Sequence, residues 1–345
     1  MKEKTKYTYI GGSALIEGVM MRSATRTAIA VRRSGGGIVL KVTENKKANS
    51  VIPRIPLVRG IVSFVQSMRL SYSAMTYAAD VAMEDAAEEA PPETKFEKFL
   101  TKLFGKTGMA ILSVIAMVVG LALGVVLFLV LPTFIVSFVG GLFPGFEDLA
   151  EGTRRVITSV GEGLIKFLVF FLYLAAISCM KDIKRVFQYH GAEHKTIFCF
   201  EHKKDLTPEN AKEFKRFHPR CGTSFIFLTL LVGIIISTFI TVSAPLTRAL
   251  IRICFVPLMM ALAYEAIRLA GKYDNLFTRI LSAPGLWFQR LTTREPDESQ
   301  LEIAIVALKG VLDDYPTDRD LNVTADGTII TEQEKTETND ETEPA

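Results

Sequence analysis

Apolar positions in this chain change their spacing several times, and each change predicts a different kind of element. Residues 8–43 alternate short apolar runs with glycines. The stretch TAIAVRRSGGGIVLKV predicts two strands joined at Gly35, Gly36 and Gly37. From Pro56 to about Met83 the period lengthens. Ile61, Phe64, Val65, Met68, Tyr72 and Met75 recur at three and four, the mark of a helix with one apolar face for its own domain or for a bilayer surface. The acidic, proline-containing linker MEDAAEEAPPETK follows. Met109 to Phe143 then runs without a charge, longer than the roughly 20 residues one membrane-spanning helix needs. Pro132 is expected to end the spanning part and to leave TFIVSFVGGLF in the interface or re-entering. Further spans are predicted at about Leu164–Met180, Phe225–Val242 and Leu250–Ala270, the last flanked or invaded by Arg252, Glu265 and Arg268. Ser243, Ala244 and Pro245 make the last two a tight hairpin. PDESQLEIAIVALKGVL reads as a capped amphipathic helix, and the Thr, Glu and Asp-rich chain beyond about Asn322 as a disordered tail.

Composition strengthens the membrane reading. Of 345 residues 49% are hydrophobic, an apolar mass that lipid absorbs more readily than a soluble core. The net charge of +3 leaves no nucleic-acid footprint. Its distribution orients the chain. The segment from Lys181 to Ser224 holds ten Lys and Arg, whereas Gly140–Gly163 holds Arg154 and Arg155 alone, so the first should be cytoplasmic. The expected fold is therefore mainly α: a polytopic membrane protein with about four transmembrane helices and a small β-containing N-terminal cytoplasmic domain. The expected divisions are an N-terminal domain (1–106), a first transmembrane pair (107–180), a basic His-rich cytoplasmic loop (181–224), a second pair (225–270), a C-terminal cytoplasmic helical segment (271–321) and the tail (322–345). The start, MKEKTKYTYIGG, has no apolar stretch of the secretory-signal kind. Cys179 and Cys254 lie in apolar runs, and Cys199 and Cys221 in the basic segment, so no disulfide framework is expected.

The chemistry concentrates in that basic segment. All four histidines lie between 190 and 218. In His190-Gly191-Ala192-Glu193-His194 a helix would put both imidazoles on one face, one turn apart, where they can hold one divalent ion with Glu193 beside it as general base. This H-x-x-E-H order is the inverzincin pattern, and Gly191 weakens the helix that the pattern needs. His218-Pro219-Arg220-Cys221 offers two more ligands from a stiffened turn. Glu265, at the edge of the last span, is either an oxygen ligand or the partner of Arg268. His202, beside Lys203 and Lys204, reads as a solvated histidine. Phe104-Gly105-Lys106-Thr107 is no P-loop, since Leu100 stands where glycine is required.

Four segments in order, GGSALIEGVMMR (11–22), YHGAEHK (189–195), HPRCGTSF (218–225) and YEAIRLAGK (264–272), resemble the YqhQ family of bacterial membrane proteins, over about residues 8–315. That family is of unknown function and described as predicted metal-dependent enzymes. The resemblance implies a membrane and a metal but no substrate. Within its motifs Glu17, His190, Glu193, His194, His218, Cys221 and Glu265 can do chemistry. In the first motif, Gly11 and Gly12 can expose amides, and Glu17, Arg22 and Arg59 can add charge toward a substrate or headgroup. The alternative there is a structural hairpin.

Three function classes follow. In one, the chain is a metal-dependent, hydrolase-like enzyme: His190, His194 and either His218 or Glu265 hold zinc or a similar divalent ion, Glu193 activates water, and a lipid or peptide is reached at the cytoplasmic face. In the second, His190, His194, His218 and Cys221 close a structural zinc site in a membrane scaffold or accessory protein. In the third, a transporter uses Lys166, Arg252 and Glu265 as a charged path, which would require a homo-oligomer. Membrane lipid is the partner common to all three.

Overall fold

Strand pairing accounts for residues 10–45. The computed structural model describes residues 10–45, 55–88, 114–218, 221–242, 244–272 and 276–330. In it β1 (Gly11–Leu15), β2 (Gly18–Arg22), β3 (Arg26–Arg32) and β4 (Ile38–Glu44) form an antiparallel meander. The three glycines make the β3–β4 turn, with Gly36 at φ 86°, a conformation glycine adopts without a Cβ penalty. A fifth strand, β5 (Asp320–Val323), returns from the far end of the chain to pair with β4. It crosses the expected tail boundary at 322. Leu321 and Val323 are buried there, and a turn through Gly327 brings Ile329 back onto Val323. Burying these apolar side chains offsets the entropy of ordering a polar stretch.

The sheet buries both faces. Val19, Met21, Ala28, Ala30, Leu40 and Val42 face one core, and Leu15, Met20, Ile29 and Val31 the other. The first is covered by α4 (Lys181–Glu201) and α9 (Glu298–Leu312). Asp297 and Gln300 close a reciprocal capping box at the start of α9. The sequence predicts this helix to be amphipathic. Instead Leu301, every residue of 303–308 and Val311 are buried, because the sheet covers one side and α4 with α5 (Pro208–Lys212) the other. The second face is covered by α1 (Val58–Glu88), through Ala74, Ala78 and Val81. The stripe seen in the sequence of α1 divides. Phe64 stacks on Phe225 at 5.8 Å, while Ile61, Val65, Met68, Tyr72 and Met75 remain exposed.

Among the described residues, three helices are long and apolar enough to cross a membrane: α2 (Val114–Gly141), α3 (Glu151–Ile177), and the Leu246–Leu269 part of α7 (Pro245–Lys272). The remaining expected span, 225–242, is the shorter α6 (Thr223–Thr238). Its 16 residues rise about 24 Å, less than the roughly 30 Å of a hydrocarbon core. Pro132 does not end a span. The helix runs on to Gly141, because a π-helical turn at Val126–Val130 lies immediately upstream and Pro132 falls within the first turn of the renewed α-helix. The basic segment 181–224 is mostly helix rather than loop, built from α4, α5 and the start of α6. A further helix, α8 (Leu276–Thr292), leads from the bundle to α9. The linker beyond Glu88, residues 109–113, Pro219, Arg220, Ser243 and the chain from 331 lie outside the described residues.

Charges are buried within the bundle. Glu162 on α3 pairs with Arg252 on α7, and with Arg248 at 3.4 Å, while Arg252 Nη1 donates to Thr133 on α2 at 3.1 Å. Arg252 and Glu162 are 2% and 1% exposed, so neither charge is shared with water.

Candidate metal centre

The site is built on α4, whose second half is buried from Tyr189 to Ile197 apart from the half-buried His190. The helix is continuous through Gly191, and the glycine has a packing reason. A Cβ there would lie 2.0 Å from the carbonyl oxygen of Arg294. The segment Thr292–Pro296, which starts at the last residue of α8, crosses the helix at this point. The Arg294 N–H donates to Phe187 O at 2.8 Å and the Gln188 amide to Glu295 O at 3.3 Å.

This crossing strap orients the first histidine. His190 Nδ1 is 2.8 Å from Thr292 O, and a carbonyl only accepts, so Nδ1 donates there and Nε2 is turned toward Cys221. His194 Nδ1 donates in the same way to Arg216 O at 2.5 Å. The two rings, one turn apart, have centroids 4.5 Å apart. Cys221, just before α6, places Sγ 3.3 Å from His190 Nε2, and one ligand atom from each of His190, His194 and Cys221 lies within 4.8 Å of the others. Ligands of a tetrahedral ion held at about 2.0–2.3 Å are about 3.3–3.8 Å apart, so small side-chain movements would close this set on a cation. Burial holds the His194 imidazole below its usual pKa, in the neutral form that ligates, although its contact with Cys221 opposes the shift. Two nitrogens and a sulfur, with both imidazoles oriented by main-chain carbonyls, fit zinc.

Glu193 lies beside this set, buried at the edge of the sheet. Burial pushes its carboxyl up to about 7, against the opposing influence of His190 and a hydrogen bond from the Gly12 N–H. A Cβ at Gly12 would lie 2.9 Å from the Glu193 carboxylate carbon, so only glycine lets β1 approach this closely. The first motif thus reaches the centre through its backbone. Its acid is used elsewhere: Glu17, in the β1–β2 turn at φ 49°, accepts two bonds from Arg185 and one from the Tyr189 hydroxyl at 3.1 Å, tying the turn to α4.

His218 is buried next to the centre, its ring centroid 5.5 Å from that of His194 and 4.6 Å from Phe198. Its Nε2 lies 3.9 Å from the Glu201 carboxylate. Gln289 on α8 holds its main chain at both ends, accepting from the N–H at 2.7 Å and donating to the carbonyl at 2.8 Å. Glu265 is not brought to the histidines. It accepts two bonds from the guanidinium of Arg59, joining α1 to α7, so its partner is Arg59 rather than Arg268. His202 is exposed and bonds Phe198 O within its own helix. The carbonyls of Thr292 and Arg216, the amide of Gln289 and the carboxylate of Glu201 carry no motif and were not legible in the sequence. A second carboxylate, Glu295, ties Lys195 at 2.5 Å and Arg216 at 3.1 Å, and so braces both the helix and the segment that orients His194.

The family described as a protein of unknown function, DUF1385, matches residues 55–314 of this chain. The uncharacterised protein YqhQ of Bacillus subtilis (strain 168) is 32% identical over 326 residues, which cover 90% of this chain and 94% of that protein. No solved structure matches.

Proposed function

We propose that this chain, which belongs to the DUF1385 family, is a membrane-bound, metal-dependent hydrolase. The observation that carries the reading is the convergence of His190, His194 and Cys221 on one point, with both imidazoles turned to it by carbonyls of separate segments and Glu193 beside them. Three protein ligands are the usual number where a metal also does chemistry. Zinc is the ion this donor set favours, and when bound it supplies Lewis acidity. Glu193, its carboxylate steadied by the Gly12 N–H, accepts a proton from the attacking water and returns it to the leaving group. We place the centre on the cytoplasmic side of the cell membrane, with both chain ends there. The ten cationic residues of 181–224 against two in 140–163 support this orientation, and α6 completes four crossings with the bilayer thinned around it.

Metal analysis of detergent-purified protein tests the reading. About one equivalent of zinc is expected, lost in His190→Ala and Cys221→Ala and kept in Glu193→Gln, which no longer turns over ester or phosphoester reporters. Wild-type protein that stays metal-free after reconstitution with zinc would overturn it. One observation favours a second reading, a scaffold closed by structural zinc: buried His218 stands one ring away from His194. X-ray absorption separates the two, since three imidazoles and one thiolate with no light-atom exchange would mark the closed site.

A further inference from the structure

Near the candidate centre, on the other side of β1, an open pocket of about 350 Å³ lies between the β1–β2 edge and α1. Its walls include Gly11, Gly12, Arg22, Ser67, Leu70 and Ser71. It contains one guanidinium and no carboxylate, and Arg22 has no ion-pair partner among the described residues. Two features connect this pocket to its surroundings. The first is Gly12, which lines the pocket while its N–H holds Glu193, so the pocket and the proposed general base meet at one residue of β1. The second is α1. Its first turns pack on the end of the membrane bundle, with Arg59 bonded to Glu265 and Phe64 stacked on Phe225. Ser67 and Ser71 lie one and two turns further on, about 5–11 Å along the axis from Phe64. Beside them on the outer surface stand Val65, 57% exposed, and Tyr72, 76% exposed, an apolar and aromatic surface suited to the headgroup layer. An unpaired arginine with hydroxyls at that depth is the chemistry that recognises a phosphate group.

We propose that this pocket binds the phosphate of an anionic amphiphile, held by Arg22 with Ser67 and Ser71, and presents the adjoining ester to the centre past the edge of Gly11 and Gly12. Calling the pocket a substrate subsite rests on the hydrolase reading, whereas the binding itself does not.

The test reads binding without turnover. Ser67→Cys is introduced, the protein is kept in neutral detergent, and maleimide labelling of position 67 is followed by peptide mass spectrometry. Dihexanoyl phosphatidic acid should slow labelling at least fivefold at concentrations where inorganic phosphate and dihexanoylglycerol have no effect. Arg22→Gln in the same background should abolish that protection, with elution volume and zinc content unchanged as evidence of folding. In His190→Ala the protection should persist, so a failed metal reading leaves this result standing. Equal protection by inorganic phosphate would overturn the amphiphile and assign the pocket to free phosphate. No protection, or protection that survives Arg22→Gln, would overturn the subsite.

Discussion

Gly191→Ala is the substitution for which helix propensity and packing predict opposite signs. In an exposed helix interior the change stabilises by about 1 kcal/mol. In α4 the new methyl would lie 2.0 Å from Arg294 O, where real contacts begin near 3.0 Å, so helix or strap must move by about 1 Å. The obstacle is backbone, and that backbone is anchored by the Arg294 bond to Phe187. Overpacking of this kind costs about 1–3 kcal/mol. Subtracting the propensity gain leaves a loss of up to about 2 kcal/mol. The same movement carries Thr292 O away from His190, and loss of such an orienting partner lowers metal affinity about 10–100-fold. Thermal unfolding in detergent and zinc affinity by chelator competition read the two effects separately. A variant as stable as wild type that binds zinc equally well would refute the role given to the strap.

Other perturbations test the frame around the centre. Glu162→Met leaves Arg252 buried without its carboxylate and should cost about 3–5 kcal/mol, whereas Glu162→Met with Arg252→Met should recover most of it; a double variant no better than the single would deny the pairing. Asp297→Ala removes half of the capping box and should cost about 1 kcal/mol in thermal unfolding with zinc content unchanged. Glu295 loses some charge preference to burial, but Lys195 and Arg216 outweigh this and hold its pKa below the usual carboxylate value. Its contribution should therefore be complete above the unfolded value of about 4.3 and be lost as pH falls through the folded one, so the stability gap between wild type and Glu295→Gln should close in acid. A gap that widens in acid would have the wrong sign. Because Glu295 is 60% exposed, the gap should be small and shrink in salt.

Legibility in this sequence followed the range of the interaction. The β3–β4 hairpin shows in period-two alternation and three glycines, and the capped start of α9 in Asp297 and Gln300, because both are decided within a few residues. His190 and His194 share a face for the same local reason. Burial was legible only where one partner sufficed. The burial of α9 depends on strands more than 250 residues away and a helix about 100 residues away, so its sequence reads as that of a surface helix. Pro132 read as a terminator because a π-turn that accommodates it has no sequence mark. Glu265 read as a ligand or a neighbour of Arg268 because Arg59, its partner, is 206 residues away.

The glycines of the centre show how these levels meet. Gly191 read as a weakness in the helix, and Gly11 with Gly12 as part of a hairpin. In the structure Gly191 is the point where a strap from the end of the bundle crosses α4, and Gly12 the point where the sheet reaches Glu193. Cys221 arrives from the foot of α6, and the carbonyls that turn the histidines arrive from α8 and from the segment after α5. No single unit of the chain holds all of these parts. The sheet and α4 without the bundle would lack Cys221 and the Thr292 carbonyl, and the bundle without α4 would lack both imidazoles. The centre therefore forms only when the sheet domain is docked on the helical bundle. That dependence explains why its residues are spread over three short motifs far apart in the chain, around Gly12, residues 190–194 and residues 218–221.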